Sequence, residues 1–158
     1  MGNVFAFIIS ILICEGAGGL GGFFTSRSVA DWYPTLIKPS FTPPSRVFMP
    51  VWTSLYFMMG VSAFLIWKLG WQKNGVKTAL LFFIIQLALN VAWSAVFFGL
   101  RSPLGGMIVI IILWLTILIT IITFFKLSKP SAVLLIPYIL WVTFASVLNG
   151  AIVYLNRG

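Results

Sequence analysis

The chain contains no histidine, a single cysteine (Cys14) and only two acidic residues, Glu15 and Asp31, which lie sixteen positions apart. Without imidazole there is no general base for a Ser/His/Asp or Cys/His triad and no histidine ligand for a metal. One cysteine cannot close a disulfide within the chain, and two distant acids do not form the facing carboxylate pair of a glycosidase. Charged residues of both signs are also scarce, at 8% of 158 residues, against about 25% in soluble domains. That scarcity excludes a water-soluble globule. What fills the chain is apolar: 61% of residues are hydrophobic and 16% aromatic, with a mean hydropathy of +1.11. The formal charge of +8 comes from ten Lys and Arg residues that sit between apolar runs and do not gather into a basic arm. They read as anchors at a membrane interface, not as a nucleic-acid footprint.

Five apolar stretches, approximately residues 4–25, 48–69, 76–99, 104–125 and 131–155, are each long enough as a helix to cross hydrocarbon about 30 Å thick. The expected fold is an all-α membrane protein, a five-transmembrane-helix bundle forming one domain over residues 1–158. The first stretch lacks the basic region that precedes a cleavable signal and runs on into a glycine-rich segment, so it is expected to stay as a true span. Connections are short except 26–47, where Pro34, Pro39, Pro43 and Pro44 rule out a continuous helix. Trp32, Tyr33, Leu36 and Phe41 in that loop argue for order, and the expectation is a structured lid over one end of the bundle. Lys68, Lys73, Lys77, Lys126 and Lys129 fall on the amino-terminal side of the membrane, and Arg27, Lys38, Arg46, Arg101 and Arg157 on the other. That tie fixes no orientation, although the tight lysine clusters favour a cytoplasmic amino terminus.

Within the spans, polar and small residues stand out. Ser10, Cys14, Gly18, Gly22 and Ser26 recur every four residues and predict a stripe for close helix contact, either inside the bundle or along a homodimer seam. Glu15 beside it is costly in mid-membrane unless neutral, paired or near water, which makes it a functional candidate. In the third span Gln86, Asn90, Trp93, Ser94 and Phe97 share one face that should point inward, for interhelical hydrogen bonding or for a ligand. Trp141, Ala145, Leu148 and Asn149 form a comparable face in the fifth span, and Trp52, Tyr56 and Met59 in the second. Trp67, Trp71 and Trp114 read as interfacial or lipid-facing. Trp52, Trp93 and Trp141 accompany small or polar neighbours, as an amphipathic ligand slot requires, and are expected to converge on an enclosed cavity sized for a planar aromatic guest.

The run Trp32-Tyr33-x-x-Leu36-x-Lys38-Pro39-x-x-x-Pro43-Pro44, continued by Pro50-x-Trp52-x-x-Leu55-Tyr56, resembles the translocator protein family, also called tryptophan-rich sensory proteins or peripheral benzodiazepine receptors. Gln86-Leu87-Ala88-Leu89-Asn90-x-Ala92-Trp93 with Phe97-Phe98-Gly99 is similar to that family's third span, and Pro137-Tyr138-x-x-Trp141 with Leu148-Asn149 to its fifth. The resemblance implies a commonly dimeric five-helix bundle with a pocket for porphyrins, isoquinoline carboxamides or benzodiazepine-type drugs, and in animal members cholesterol. Tyr33, Pro44, Trp52, Asn90, Trp93, Trp141, Ala145 and Leu148 match positions where the family lines or closes that pocket. Trp52 and Trp141 match indoles assigned to a light- and oxygen-dependent breakdown of protoporphyrin in some bacterial members. The family's sterol motif departs here, with Gly150 in place of its tyrosine; a shifted pattern, Leu148-x5-Tyr154-x2-Arg157, meets only the loose consensus.

A flat macrocycle gains by stacking on Trp and Phe, and its propionates suit Lys38 or Arg46 near the mouth. With no histidine as axial ligand, a metal-free tetrapyrrole such as protoporphyrin is the better guest, bound as ligand or substrate and not as a resident cofactor. The leading expectation is thus a membrane sensor for porphyrin-like molecules, in the cell membrane of a bacterium or the mitochondrial outer membrane of a eukaryote. The alternatives are a transporter of small hydrophobic ligands, such as tetrapyrroles or sterols, using Glu15, and a purely structural oligomeric component.

Overall fold

The computed structural model describes residues 2–157. Helices α1 (Gly2–Val29), α2 (Ser45–Trp67), α3 (Val76–Ser94), α4 (Pro103–Leu127), α5 (Lys129–Leu134) and α6 (Ile136–Leu155) build an all-helical bundle, with no strand among the described residues. α3 runs on as a wider π-helical turn over Ala95–Gly99, and α5 with α6 makes one broken span, so five segments are long and apolar enough to cross a membrane.

The ends follow local chemistry. Ser102 caps α4 by accepting a hydrogen bond from the Gly105 amide, with Pro103 in the first turn, where a missing N–H costs nothing. Ser128 does the same for α5 through the Ser131 amide. The fifth span is broken at Leu135 because Pro137 has no N–H to donate and its ring crowds the carbonyl four residues back. α1 runs through its glycines as far as Val29, past the expected end at residue 25, because a backbone in hydrocarbon must satisfy its own hydrogen bonds. α2 starts directly behind Pro44, three residues earlier than expected.

α1 lies against α2 and α3, and α4 against α3 and α6. Met59, Ile66, Phe83, Leu113, Phe124 and Tyr138 fill the centre. A serine clasp fastens α2 to α5: Ser62 Oγ donates to the Ser131 carbonyl at 2.8 Å, and Ser131 Oγ returns a bond to the Ser62 carbonyl at 2.7 Å. The four-residue stripe on α1 does not stay on one face. Ser10 and Cys14 are buried and Gly18 lies half-buried, but Gly22 and Ser26 are exposed. Strict four-residue spacing drifts about 40° around an α-helix at each step, and the buried line is instead Ala6, Ser10, Cys14, Ala17, Gly21 and Ser28.

The closest backbone approach is at Gly60. A Cβ there would stand 2.9 Å from Ile11 Cα and 3.1 Å from the Ser10 carbonyl oxygen, so α1 and α2 touch along bare backbone. Gly60→Ala is expected to destabilise the bundle by about 1–3 kcal/mol through forced separation of the two helices. Gly16→Ala, with nothing within 4 Å of its Cβ, should be neutral or stabilising. Thermal unfolding in detergent checks the pair, and equal midpoints for the two variants would refute the close contact.

Candidate functional site

Three indoles meet where α2, α3 and α6 converge. The Trp52 ring centroid lies 6.5 Å from that of Trp93 and 6.4 Å from that of Trp141, the second pair at 90° between planes. Edge-to-face contact of this kind puts a positive ring edge on a negative ring face. Trp52 also stacks on Tyr56, one turn along α2, at 5.6 Å. Phe48, one turn earlier, and Phe144, three residues after Trp141, close round the Trp141 ring at 5.9 and 5.5 Å. Ala145 is buried one turn beyond Trp141.

Beneath the indoles runs a buried chain of polar groups. The Tyr56 hydroxyl donates to Asn90 Oδ1. Asn90 Nδ2 donates to the Tyr138 hydroxyl at 2.9 Å, which donates in turn to Gln86 Oε1 at 2.8 Å. Trp93 Nε1 reaches Asn149 Oδ1 at 3.2 Å, and Asn149 Nδ2 reaches the Pro103 carbonyl at 2.8 Å. Every member of the inward face expected on α3 is thereby given a place: Gln86, Asn90, Ser94 and Phe97 are buried and Trp93 is half-buried. Tyr138 was read from the sequence only as part of a motif. Its hydroxyl joins α6 to two α3 side chains, and its position three residues before Trp141, on the same helix face, is the signal that could have found it. Two buried donors have no partner, Gln86 Nε2 and Trp141 Nε1.

Tyr33 and Leu148 belong to a neighbouring cluster. Leu148 is buried with Phe97 and Ile152, and Trp32, Tyr33 and Leu36 pack over them. Burial pushes the Tyr33 phenol pKa up. Trp93 touches both clusters. Pro44 stands exposed at the amino-terminal cap of α2. The loop between α1 and α2 is tied to the bundle at several points. Ile37 and Asn156 exchange hydrogen bonds at 3.0 and 2.9 Å, Phe41 meets Phe144, and Arg101 pairs with Asp31 at 2.7 Å. Lys38, expected at the mouth for an anionic guest, instead gives its ammonium to the carbonyls of Tyr33 and Leu36 at 2.9 and 3.0 Å, which leaves Arg46 as the exposed cation on that segment.

Trp114 sits half-buried on the seam between α4 and α6, its Nε1 donating to the exposed Thr143 Oγ1 at 2.8 Å. Trp71 is exposed and meets Trp67 edge-on. Glu15 is half-buried on α1. In the shifted sterol pattern Leu148 is buried whereas Tyr154 is 73% exposed, so the two do not form one surface.

The indole cluster is packed ring on ring, and two cavities among the described residues lie apart from it. One of about 410 Å³ is lined by residues of α1 and of the turn after α3, among them Arg27 and Arg101. The other, about 200 Å³, is apolar and lies between α1, α2 and α3 against Cys14, Trp67, Trp71 and Phe83. Rings at these separations keep the dispersion contacts that a void between them would forfeit.

Tyr138→Phe leaves Asn90 Nδ2 and Gln86 Oε1 without their partner, and the expected loss is about 1–3 kcal/mol for the stranded groups, read as a lower unfolding midpoint in detergent. The loop anchor has a pH dependence of definite sign. The Trp32 amide, and after it Arg101, hold the Asp31 carboxyl below its ordinary 3.8. The folded chain therefore binds that proton less readily than the unfolded chain. The tie is intact above 3.8 and is lost as pH falls through the lower folded value. Hydrogen exchange of the loop amides, corrected for intrinsic rate, should accelerate in that acid window, and Asp31→Asn should abolish the pH dependence.

The TspO/MBR family model matches residues 10–155. The chain is 44% identical to tryptophan-rich protein TspO of Chlorobaculum tepidum over 154 residues, which cover 98% of each chain. It is also 44% identical to tryptophan-rich protein TspO of Archaeoglobus fulgidus over 155 residues, 98% of this chain and 99% of that one. To the translocator protein of Sus scrofa it is 36% identical over 144 residues, 88% of this chain and 85% of the other. With five membrane-length apolar helices and this match over nearly its whole length, the chain belongs to the TspO/MBR family of integral multi-pass membrane proteins.

Proposed function

We propose that this protein is a membrane receptor that takes planar aromatic guests, porphyrins such as protoporphyrin and isoquinoline- or benzodiazepine-type drugs, between its indole-bearing helices. The observation that carries the reading is the convergence of Trp52, Trp93 and Trp141 around an indole N–H, that of Trp141, with no partner. A buried donor left without an acceptor costs about 1–3 kcal/mol, and a guest carbonyl or ring nitrogen would relieve it. Entry is easiest where helices touch least, and α2 and α6, which carry Trp52 and Trp141, share only a sparse seam. The loop from α1 to α2 serves as the lid, its aromatic residues already resting on Phe97 and Leu148.

The paired indoles also support a photochemical activity. A stacked porphyrin, once excited, would pass its energy to dissolved O2, or take an electron from Trp52 or Trp141 and hand it to O2; addition of that oxygen across a methine carbon–carbon bond, which then breaks, would open the macrocycle with O2 as the oxidant and without acid, base or metal. Two further features belong to the same reading. Gly19 and Gly22 leave an open small-residue face on α1 that suits a second copy. The relatives 44% identical over 98% of the chain are prokaryotic, which favours the cell membrane.

The test is protoporphyrin fluorescence quenching by purified protein, in the dark and under light. Trp52→Phe and Trp141→Phe should each weaken binding about 2- to 10-fold through lost stacking, and Trp71→Phe should not. Slower product formation in either variant, at saturating porphyrin, supports the photochemistry; breakdown equal to that in empty detergent removes it. Unchanged binding in both variants overturns the receptor reading. Ligand flux into liposomes that Glu15→Gln abolishes would establish a transporter instead.

A further inference from the structure

The larger cavity lies apart from the indoles, at the loop end of the bundle. Its wall is made by Phe24, Arg27 and Ser28 of α1 and by Ala95, Gly99, Leu100 and Arg101 of the turn that ends α3, around a volume of about 410 Å³. Two features make it more than a surface dent. Both of its charged groups are guanidiniums, and one of them, Arg101, adopts φ +54°, the only non-glycine residue with positive φ among the described residues. A left-handed conformation costs a branched or long side chain about 1–2 kcal/mol, and here it follows from the wide turn of α3, closed by the Ser102 amide bonding the Val96 carbonyl at 3.2 Å. Asp31 takes one nitrogen of Arg101, Nη2, at 2.7 Å. A guanidinium has five N–H donors, and Arg27 rests over the Phe23 ring with no carboxylate partner among the described residues. Two guanidiniums against one carboxylate leave the cleft cationic.

Below the charges the walls turn apolar. On α1, Leu20, Phe24 and Arg27 follow at intervals of four and three, so a guanidinium caps an apolar stripe. On α3, Ala88, Ala92, Ala95 and Gly99 follow at four, three and four, a strip of small residues whose last two, Ala95 and Gly99, line the cleft. Phe24 closes its upper end, its ring 3.1 Å from where a Gly99 Cβ would stand. An apolar strip with paired cations at the level of the membrane interface is complementary to one kind of molecule, with a phosphate above and a hydrocarbon chain below.

We propose that this cleft is a binding site for an anionic phospholipid, its headgroup phosphate held by Arg27 and Arg101 and one acyl chain laid along the small-residue strip of α3. A second copy of this chain fits the cleft poorly. Were the cleft to sit on a two-fold axis, four guanidiniums would converge on two carboxylates. The open glycine face of α1, at Gly19 and Gly22, points more than a quarter turn away from Leu20 and Arg27.

Native mass spectrometry of the full chain, delipidated in detergent and titrated with phosphatidylglycerol or phosphatidylcholine of identical chains, tests the proposal. One phosphatidylglycerol should be retained saturably and in preference to phosphatidylcholine. Arg27→Gln or Arg101→Gln should lower its affinity about fivefold each, and the double variant about thirtyfold, as expected at about 1 kcal/mol per interfacial arginine. Lys73→Gln, at the opposite end of the bundle, should leave retention unchanged. A photoreactive headgroup analogue should crosslink within residues 24–28 and 95–101 of the wild-type chain, which keeps the test decisive if a variant misfolds. Equal retention of the two lipids, crosslinks elsewhere, or loss of dimer with no loss of lipid in the double variant would overturn the proposal. Competition by millimolar inorganic phosphate would show a free-anion site and overturn the lipid assignment.

Discussion

In hydrocarbon, five apolar helices gain little by exchanging lipid contacts for contacts with each other, so the few hydrogen bonds that pass between helices decide how they are arranged. The bonds through Tyr138 are the centre of that arrangement. Its hydroxyl accepts from Asn90 and donates to Gln86, both on α3, while Asn90 also receives the Tyr56 hydroxyl from α2. Two buried phenols, Tyr56 and Tyr138, thus fix the mutual rotation of α2, α3 and α6. With that rotation set, Trp52, Trp93 and Trp141 have to face one another, because each lies three or four residues from a member of the chain: Trp52 from Tyr56, Trp93 from Asn90, Trp141 from Tyr138.

The same constraint accounts for the two stranded donors. Gln86 and Asn90 occupy both partners that Tyr138 offers, and the rings around Trp141 are Phe48, Phe144 and Trp52, none of which carries an acceptor. A core designed only for stability would fill such a site with apolar side chains, since an unmatched N–H in lipid is a net loss. The Trp141 N–H is nevertheless retained among aromatic rings.

Much of this was legible from spacing. The five spans, the inward face of α3 and the ordered loop follow from apolar length, helical period and aromatic content, each a local property. What spacing could not supply is anything that depends on a second element. The α1 stripe of Ser10, Cys14, Gly18, Gly22 and Ser26 failed as one face because a helix turns beyond a four-residue repeat, and its buried members are selected by Tyr56 and by Gly60, on another helix. Trp114 read as lipid-facing because its own neighbours are all apolar, and its partner Thr143 lies 29 positions away. Lys38 read as a cation for the ligand because nothing in the sequence shows that its own loop turns back to offer three carbonyls. Nor does any local pattern announce that the end of α3 widens, since the π turn at Ala95–Gly99 carries ordinary helix-compatible residues.

That widened turn joins the two ends of the functional argument. It places Phe97 beneath Trp32 and Tyr33, so the loop rests on it, and it ends in Arg101, which holds Asp31 of the same loop. Ser28 Oγ ties α1 to the Phe98 carbonyl at 2.7 Å within it. Arg101 therefore pairs with the loop through Nη2 and also lines the cleft. A phosphate in the cleft would draw the guanidinium without requiring it to release Asp31, because the fork has donors for both. Neutralising the excess cation also removes the repulsion between Arg27 and Arg101 that an empty cleft retains. Occupancy by an anionic lipid would on this account steady the turn on which the loop is seated, and so tie the covering of the indoles to the composition of the surrounding leaflet.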